Sequence, residues 1–235
     1  MITIALCMSL AGDPISAVHL YNPVDQPVMV EVELPTGSDT AHIVLLNADG
    51  GVLAGPERVI AGSHNLLRRA PQLADLDRAA WLQLLVDGEA VGSPMVVQPM
   101  RSRLVPQTEE VTRGDGKSTY SRIVGWRDDM LDDVDDATAE DDVSLLTGWR
   151  LYPDRDVLIV TSEGGIRIAL RPDAAPNTAW NFRELAEGGF YRNIPFHRIV
   201  PLTARGQGFV IQAGDPTGTG SGGPGWWLPI ERSDL

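Results

Sequence analysis

Cysteine is nearly absent: Cys7 is the only one in 235 residues, so no disulfide within the chain can staple its fold. Long apolar runs are missing as well. No stretch approaches the roughly 20 residues that a membrane-spanning helix needs. Positive charge is scarce, with 19 Lys and Arg against 32 Asp and Glu and a net charge of -13. A nucleic-acid partner would need a basic surface for its phosphates, so that class is excluded. No His/Cys cluster has metal-ligand spacing, and no Gly-x-Ser-x-Gly elbow occurs, so neither a metal, a cofactor nor a serine nucleophile is expected.

What is present is a chain that is 43% hydrophobic, enough for a globular core. Its charge is uneven. Residues 1–106 hold 6 basic and 11 acidic side chains, residues 107–154 hold 5 and 13, and residues 155–235 hold 8 and 8. The middle segment therefore carries most of the acidity. Nine acidic residues fall between Asp128 and Asp142, where like charges favour a solvated connector. Asp133 and Asp135 alternate as in a calcium loop, but Ala137 and Thr138 break that pattern.

Residues 1–16 have two readings. The apolar run at 2–11 has the length of a secretory h-region, which leans towards export to a periplasm or cell envelope rather than a cytoplasmic location. It lacks a preceding Lys or Arg, and bulky Leu6 before Cys7 argues against lipid attachment. The alternative is a first strand of the fold.

Residues 17–106 read as short strands. A β-rich run at 28–34 ends at Pro35 and Gly37. Another at 42–46 meets turn chemistry at 47–51, and 52–54 returns from it. A run at 81–86 turns at Asp87-Gly88 towards a partner at 91–97. Residues 65–78 are a loop or a short helix. This pattern predicts an antiparallel β-sandwich, followed by an acidic linker at 107–154.

From Val157 the periodicity sharpens. Residues 157–161 and 166–170 flank Glu163, Gly164 and Gly165, which predicts a tight hairpin. A helix is expected from Asp173 to Gly188, with Pro176 in its first turn and Gly188-Gly189 at its end. Ala179, Phe182, Leu185 and Ala186 form its apolar stripe.

The segment then carries Ala175-Pro176-Asn177-Thr178, Gly189-Phe190-Tyr191, Pro195-Phe196-His197-Arg198 and Gly208-Phe209, with Gln212, Gly214, Asp215 and Pro216 after them. Phe-His-Arg followed by Phe-x-x-Gln-x-Gly-Asp resembles the cyclophilins, and Asp-Pro-Thr-Gly-Thr-Gly resembles their bacterial branch. The resemblance covers residues 155–235. It implies a peptidyl-prolyl cis/trans isomerase that works without metal or cofactor on proline-containing polypeptides in protein folding.

The chemistry fits those residues. Amide resonance sets a barrier of roughly 18–20 kcal/mol, and only X-Pro bonds populate cis appreciably. A donor to the prolyl nitrogen localises its lone pair and weakens that resonance. A guanidinium suits the task because it is always charged and forked. The resemblance makes Arg198 the catalytic donor, Phe209 the floor of the proline pocket and Gln212 a ligand of substrate backbone. Phe196 and His197 would line the substrate groove. Strand alternation puts Phe196 and Arg198 on one side and His197 on the other. Gly218, Gly220 and Gly223 spell G-x-G-x-x-G, but no helix is expected after them, so the stretch reads as a loop beside the groove rather than a dinucleotide site.

Two departures stand against the family pattern. Residues 202–207 lengthen the link before Gly208. The resemblance also implies a closed eight-stranded barrel with two helices, of which this sequence carries the first half and one helix. The expectation is an incomplete cyclophilin-like barrel with open edges, a surface for self-association, and with Trp226, Trp227 and Leu228 as core residues without partners. A non-catalytic proline-peptide or protein-binding module is the alternative to an enzyme, and a structural envelope protein is a third reading.

Overall fold

The structure, a computed structural model, describes residues 3–6, 13–38, 40–102, 104–114, 116–128, 145–202, 210–228 and 231. Strand β1 is Thr3–Leu6. Then come β2 (Ile15–Ala17), β3 (Tyr21–Pro23), β4 (Met29–Val32), β5 (Ala41–Leu46), β6 (Val52–Val59) and β7 (Gly62–Asn65). Helix α1 (Leu66–Arg69) and a 3-10 turn (Pro71–Asp75) lead into β8 (Ala80–Val86), β9 (Glu89–Ser102), β10 (Leu104–Thr112), β11 (Thr119–Asp128) and β12 (Leu145–Pro153). The remainder comprises β13 (Val157–Thr161), β14 (Gly164–Ile168), α2 (Pro176–Glu187), β15 (Arg198–Val200) and β16 (Val210–Gln212).

The N-terminal part is the expected sandwich. A six-stranded sheet in the order β3-β12-β9-β8-β5-β6 faces a three-stranded sheet in the order β2-β4-β7. Period-2 alternation fills the space between them. Ala41, Ile43 and Leu45 point inward from β5, Leu82 and Leu84 from β8, and Val30 and Val32 from β4. Trp149 closes this core and donates its indole N–H to the carbonyl of Leu73, 2.9 Å away. The turn at Asp87-Gly88 has φ of 52 and 85°, as the tight hairpin between β8 and β9 requires.

The expected linker at 107–154 is corrected in two places. Strands β10 and β11 pair with each other over its first part, as a separate two-stranded sheet. Strand β12 then enters the six-stranded sheet between β3 and β9, so residues 145–153 belong to the sandwich. The physical reason lies in Trp149 and Leu151, which are each 1% exposed in the core. The acidic residues between, 129–144, lie outside the described residues. Strands β6 and β9 also run longer than their sequence cues, and β2, β3 and β7 lacked any clear cue.

The second part has its own small core of Ile4, Val157, Ala186, Tyr191 and Ile194, with Phe182, Phe190 and Phe196 packed against it. Its hairpin, β13–β14, and its helix, α2, fall where the sequence places them. Strand β1 pairs with the outer edge of β13, with Thr3 opposite Val160 and Leu6 opposite Val157. Residues 3–6 thus take the first-strand reading. Among the described residues no closed barrel forms, in line with the incomplete barrel expected.

The two parts meet through the second face of the six-stranded sheet. Ala79, Val96 and Tyr152 are buried there with Trp81 and Trp180 of α2 packed on them. Arg150 lies over the Trp180 ring at 4.5 Å, and Arg183 over the Tyr152 ring at 5.0 Å. Arg183 also donates to the Pro153 carbonyl at 2.7 Å. Helix α2 is therefore buried on two sides, with Phe182 and Ala186 towards its own core and Trp180 and Arg183 towards the sheet.

Candidate functional site

Strands β15 and β16 are short and pair antiparallel, with Arg198 opposite Gln212, Ile199 opposite Ile211 and Val200 opposite Val210. Residues directly opposite in such a ladder share a face. Arg198 and Gln212 therefore project from the same side of the ribbon, and Ile199 and Ile211 from the other. The pairing extends one residue further, since the His197 N–H donates to the Gln212 carbonyl at 3.1 Å. Arg198 is exposed and Gln212 half-buried.

A cleft of about 450 Å³ opens beside this ribbon. Ile4 of β1, Ile159 of β13, Phe182 of α2, Tyr191 and Phe196 supply apolar walls, and His197, Gln212 and Asp215 supply polar ones. Phe196 and His197 both line it and Arg198 does not. Strict alternation from Phe196 to Arg198 is thus corrected: β15 begins only at Arg198, and the two residues before it lie outside the regular strand. Phe196 is half-buried and packs on the second core. Both ring nitrogens of His197 are buried without a hydrogen-bond partner among the described residues. Phe209 lies outside the described residues.

The glycine-rich stretch forms turns around Asp215, which is 5% exposed. Its carboxylate accepts from the Thr217 N–H at 2.7 Å, the Thr217 hydroxyl at 2.7 Å, the Thr219 hydroxyl at 3.2 Å and the Gly220 N–H at 2.6 Å. Burial pushes this carboxyl up. The hydrogen bonds from Thr217, Gly222 and Gly220 outweigh burial and hold it well below the usual carboxylate range. A Cβ on Gly222 would stand 2.1 Å from Asp215 Oδ1, so only glycine passes so close. No described helix follows, which agrees with a loop and not a dinucleotide turn.

The tail beyond the loop runs back to α2. Trp226 donates its indole N–H to Asn181 Oδ1 at 2.9 Å. Glu231 accepts from the N–H groups of Asn177 and Thr178, both at 2.8 Å. It thereby caps a helix whose N-cap, Ala175, has no side-chain acceptor. Trp226, Trp227 and Leu228 are 53%, 96% and 39% exposed, so these apolar side chains lie outside the described cores, as side chains lacking core partners would.

Sequence reasoning missed two contributors. Ile4 joins the cleft because β1 comes from the far end of the chain, and nothing in residues 2–11 announces that pairing. Asp215 stood within the motif, but only its convergent hydrogen bonds reveal its role in ordering the loop.

Comparison with known proteins agrees with this picture. Residues 157–231 match the model of the family described as cyclophilin type peptidyl-prolyl cis-trans isomerase/CLD. A peptidyl-prolyl cis-trans isomerase of Synechococcus elongatus is 43% identical over 77 residues, which cover 33% of this chain and 49% of that protein. Peptidyl-prolyl cis-trans isomerase B of Bacillus subtilis is 48% identical over 66 residues, covering 28% and 42% respectively. Peptidyl-prolyl cis-trans isomerase-like 2 of Cryptococcus neoformans is 46% identical over 69 residues, covering 29% and 11%. The chain thus spans at most about half the length of these relatives. No solved structure matches at a significant level. Residues 157–231, which carry the Arg198–Gln212 pair, are thus similar to the cyclophilin-type family.

Proposed function

We propose that this protein accelerates cis/trans rotation of X-Pro bonds, with Arg198 as the catalytic donor. The observation that carries this reading is the placement of Arg198 opposite Gln212, on one face of the β15–β16 ribbon. A peptide laid along that face meets an amide side chain that can hold its backbone and a guanidinium that can reach the prolyl nitrogen. Donation to that nitrogen removes its lone pair from resonance, and no covalent bond is made or broken. One charge-assisted hydrogen bond contributes about 1.5–3 kcal/mol, or roughly one to two orders of magnitude in rate.

Phe196 and His197 stand just before β15, line the cleft and serve as neighbours of the bound peptide. Phe209 is assigned to the floor of the proline pocket by the motif alone. The binding-module reading draws on one observation: Arg198 is absent from the walls of the cleft, so peptide can be gripped there without meeting the donor.

Turnover of a proline tetrapeptide in a protease-coupled assay, with Arg198→Ala and Arg198→Lys beside the parent chain, separates these readings. Acceleration that falls ten- to a hundredfold with Arg198→Ala supports the isomerase. Peptide affinity without acceleration in the parent chain supports the binder.

A further inference from the structure

Strands β10 and β11 form a ribbon that joins neither sheet of the sandwich. Among the described residues, none of either strand lies in the three apolar cores. Over 107–112 and 119–124 every side chain is exposed except half-buried Val111. Tyr120, Ile123 and Val124 are 42, 54 and 53% exposed. A two-stranded ribbon alone is marginal in water, and further strands are needed for independent stability.

The two outer edges of the ribbon differ. Strand β10 carries Glu109, Glu110 and Pro106, which has no N–H to donate, and such residues deter strand addition. The outer edge of β11 pairs with no described strand, and 119–125 holds no acidic residue, lysine or proline. The register shifts between Gln107 and Thr108, so the regular ladder sets 108–112 against 119–123, with Ser121 at its middle. Tyr120 and Arg122 share one face, opposite Val111 and Glu109. Arg122 donates to Glu109, and Arg113 lies over the Tyr120 ring at 5.3 Å.

We propose that the β11 edge pairs antiparallel with the β11 edge of a second copy of this chain, about a two-fold axis through Ser121, to make a four-stranded sheet. This register sets Tyr120 opposite the partner's Arg122, and Arg122 opposite the partner's Tyr120. Each guanidinium then lies between a carboxylate of its own chain and a ring of the other, and no like charges stand opposite. On the other face Thr119 meets the partner's Ile123, and uncharged Ser121 meets its own copy. Pairing β10 about its middle residue, Glu110, would instead set two carboxylates opposite each other. The match is a property of the strand's own sequence, which is why a second copy is the occupant. It is independent of the isomerase reading.

The test uses the full chain in sedimentation equilibrium, from low to high micromolar protein. The parent chain should show a monomer–dimer equilibrium. Ser121→Lys sets two cations opposite each other at the axis but faces Glu110 within its own ribbon, so the ribbon is kept and the dimer dissociation constant should rise about tenfold. Two further variants read the register in a Cys7→Ser background, which removes the only cysteine. Ser121→Cys places two thiols on opposed residues, with Cα atoms about 4.5–5.5 Å apart and within disulfide reach. Thr119→Cys leaves the two thiols four residues apart along the strand, about 13 Å. Oxidation should therefore cross-link Ser121→Cys about tenfold faster or more than Thr119→Cys. A parent chain that stays monomeric, a dimer that Ser121→Lys leaves unchanged, or equal cross-linking at the two positions overturns the proposal. A monomer whose ribbon amides shift in NMR spectra only when an extended apolar peptide is added assigns the edge to that partner, and likewise overturns it.

Discussion

The Arg150 guanidinium lies 4.5 Å from the centre of the Trp180 ring, and this contact joins a strand of the N-terminal sheet to helix α2 of the C-terminal segment. Tyr152 stands 4.8 Å from the same ring, tilted by 53°. Two buried arginines in such a place draw stabilisation from ring faces, where hydrogen-bond partners are few. Trp180→Ala removes a large half-buried side chain together with its ring contacts to Arg150, at 4.5 Å, and Arg183, at 5.8 Å, at a cost of about 3 kcal/mol. Urea denaturation checks this, and Trp180→Phe should recover part of the loss.

Strand β1 lends Ile4 to both the second core and the cleft wall. Ile4→Ala leaves a cavity in that core and should cost about 2–4 kcal/mol. Hydrogen exchange should show the loss concentrated in the amides of β13 and α2. Uniform loss across the six-stranded sheet would contradict this placement of the N-terminal strand.

How much of this was legible in sequence depends on the length over which each signal acts. The hairpin at 157–168 and helix α2 announce themselves through local alternation, Gly164 and Pro176, and they form where expected. Arg198 and Gln212 were singled out by the resemblance of their motif to the cyclophilins, and only the ladder shows that they stand opposite each other. Strand β12 was not legible as part of the sandwich, since its acidic surroundings outweighed Trp149 and Leu151 in any local reading. Arg150, Arg183 and Trp180 carry no local sequence signal of their contacts with one another. Only tertiary packing brings them together, and no local periodicity records it.

Asp154 contributes a pH dependence whose sign can be worked out. Burial pushes its carboxyl up, and the hydrogen bond from the Trp81 indole, 3.0 Å away, only partly opposes this. The native state therefore binds more protons than the unfolded chain between the ordinary aspartate value of about 3.9 and the raised native one. Stability should fall as pH rises through that window. Asp154→Asn, which keeps an acceptor for Trp81, should abolish this fall and be at least as stable at pH 7. Urea midpoints across pH 4–7 for both chains measure it, and identical slopes would contradict it.

Glu231 caps α2 from the far end of the segment through two backbone N–H groups. Glu231→Ala leaves those donors to solvent and removes an anion from the positive end of the helix, costing about 1 kcal/mol. Thermal unfolding should show the loss, and Glu231→Gln should retain the larger part of the hydrogen bonding.

The most direct measurement is NMR exchange spectroscopy on a proline tetrapeptide, because it reads rotation of the X-Pro bond without a coupling enzyme. With the parent chain, exchange cross-peaks between cis and trans resonances should appear at mixing times of tens to hundreds of milliseconds, where the free peptide, which exchanges in tens of seconds, shows none. With Arg198→Ala the cross-peaks should vanish while peptide binding persists. Exchange that survives Arg198→Ala, or a folded parent chain that binds the peptide and produces no exchange, would contradict the assignment of Arg198 as the catalytic donor.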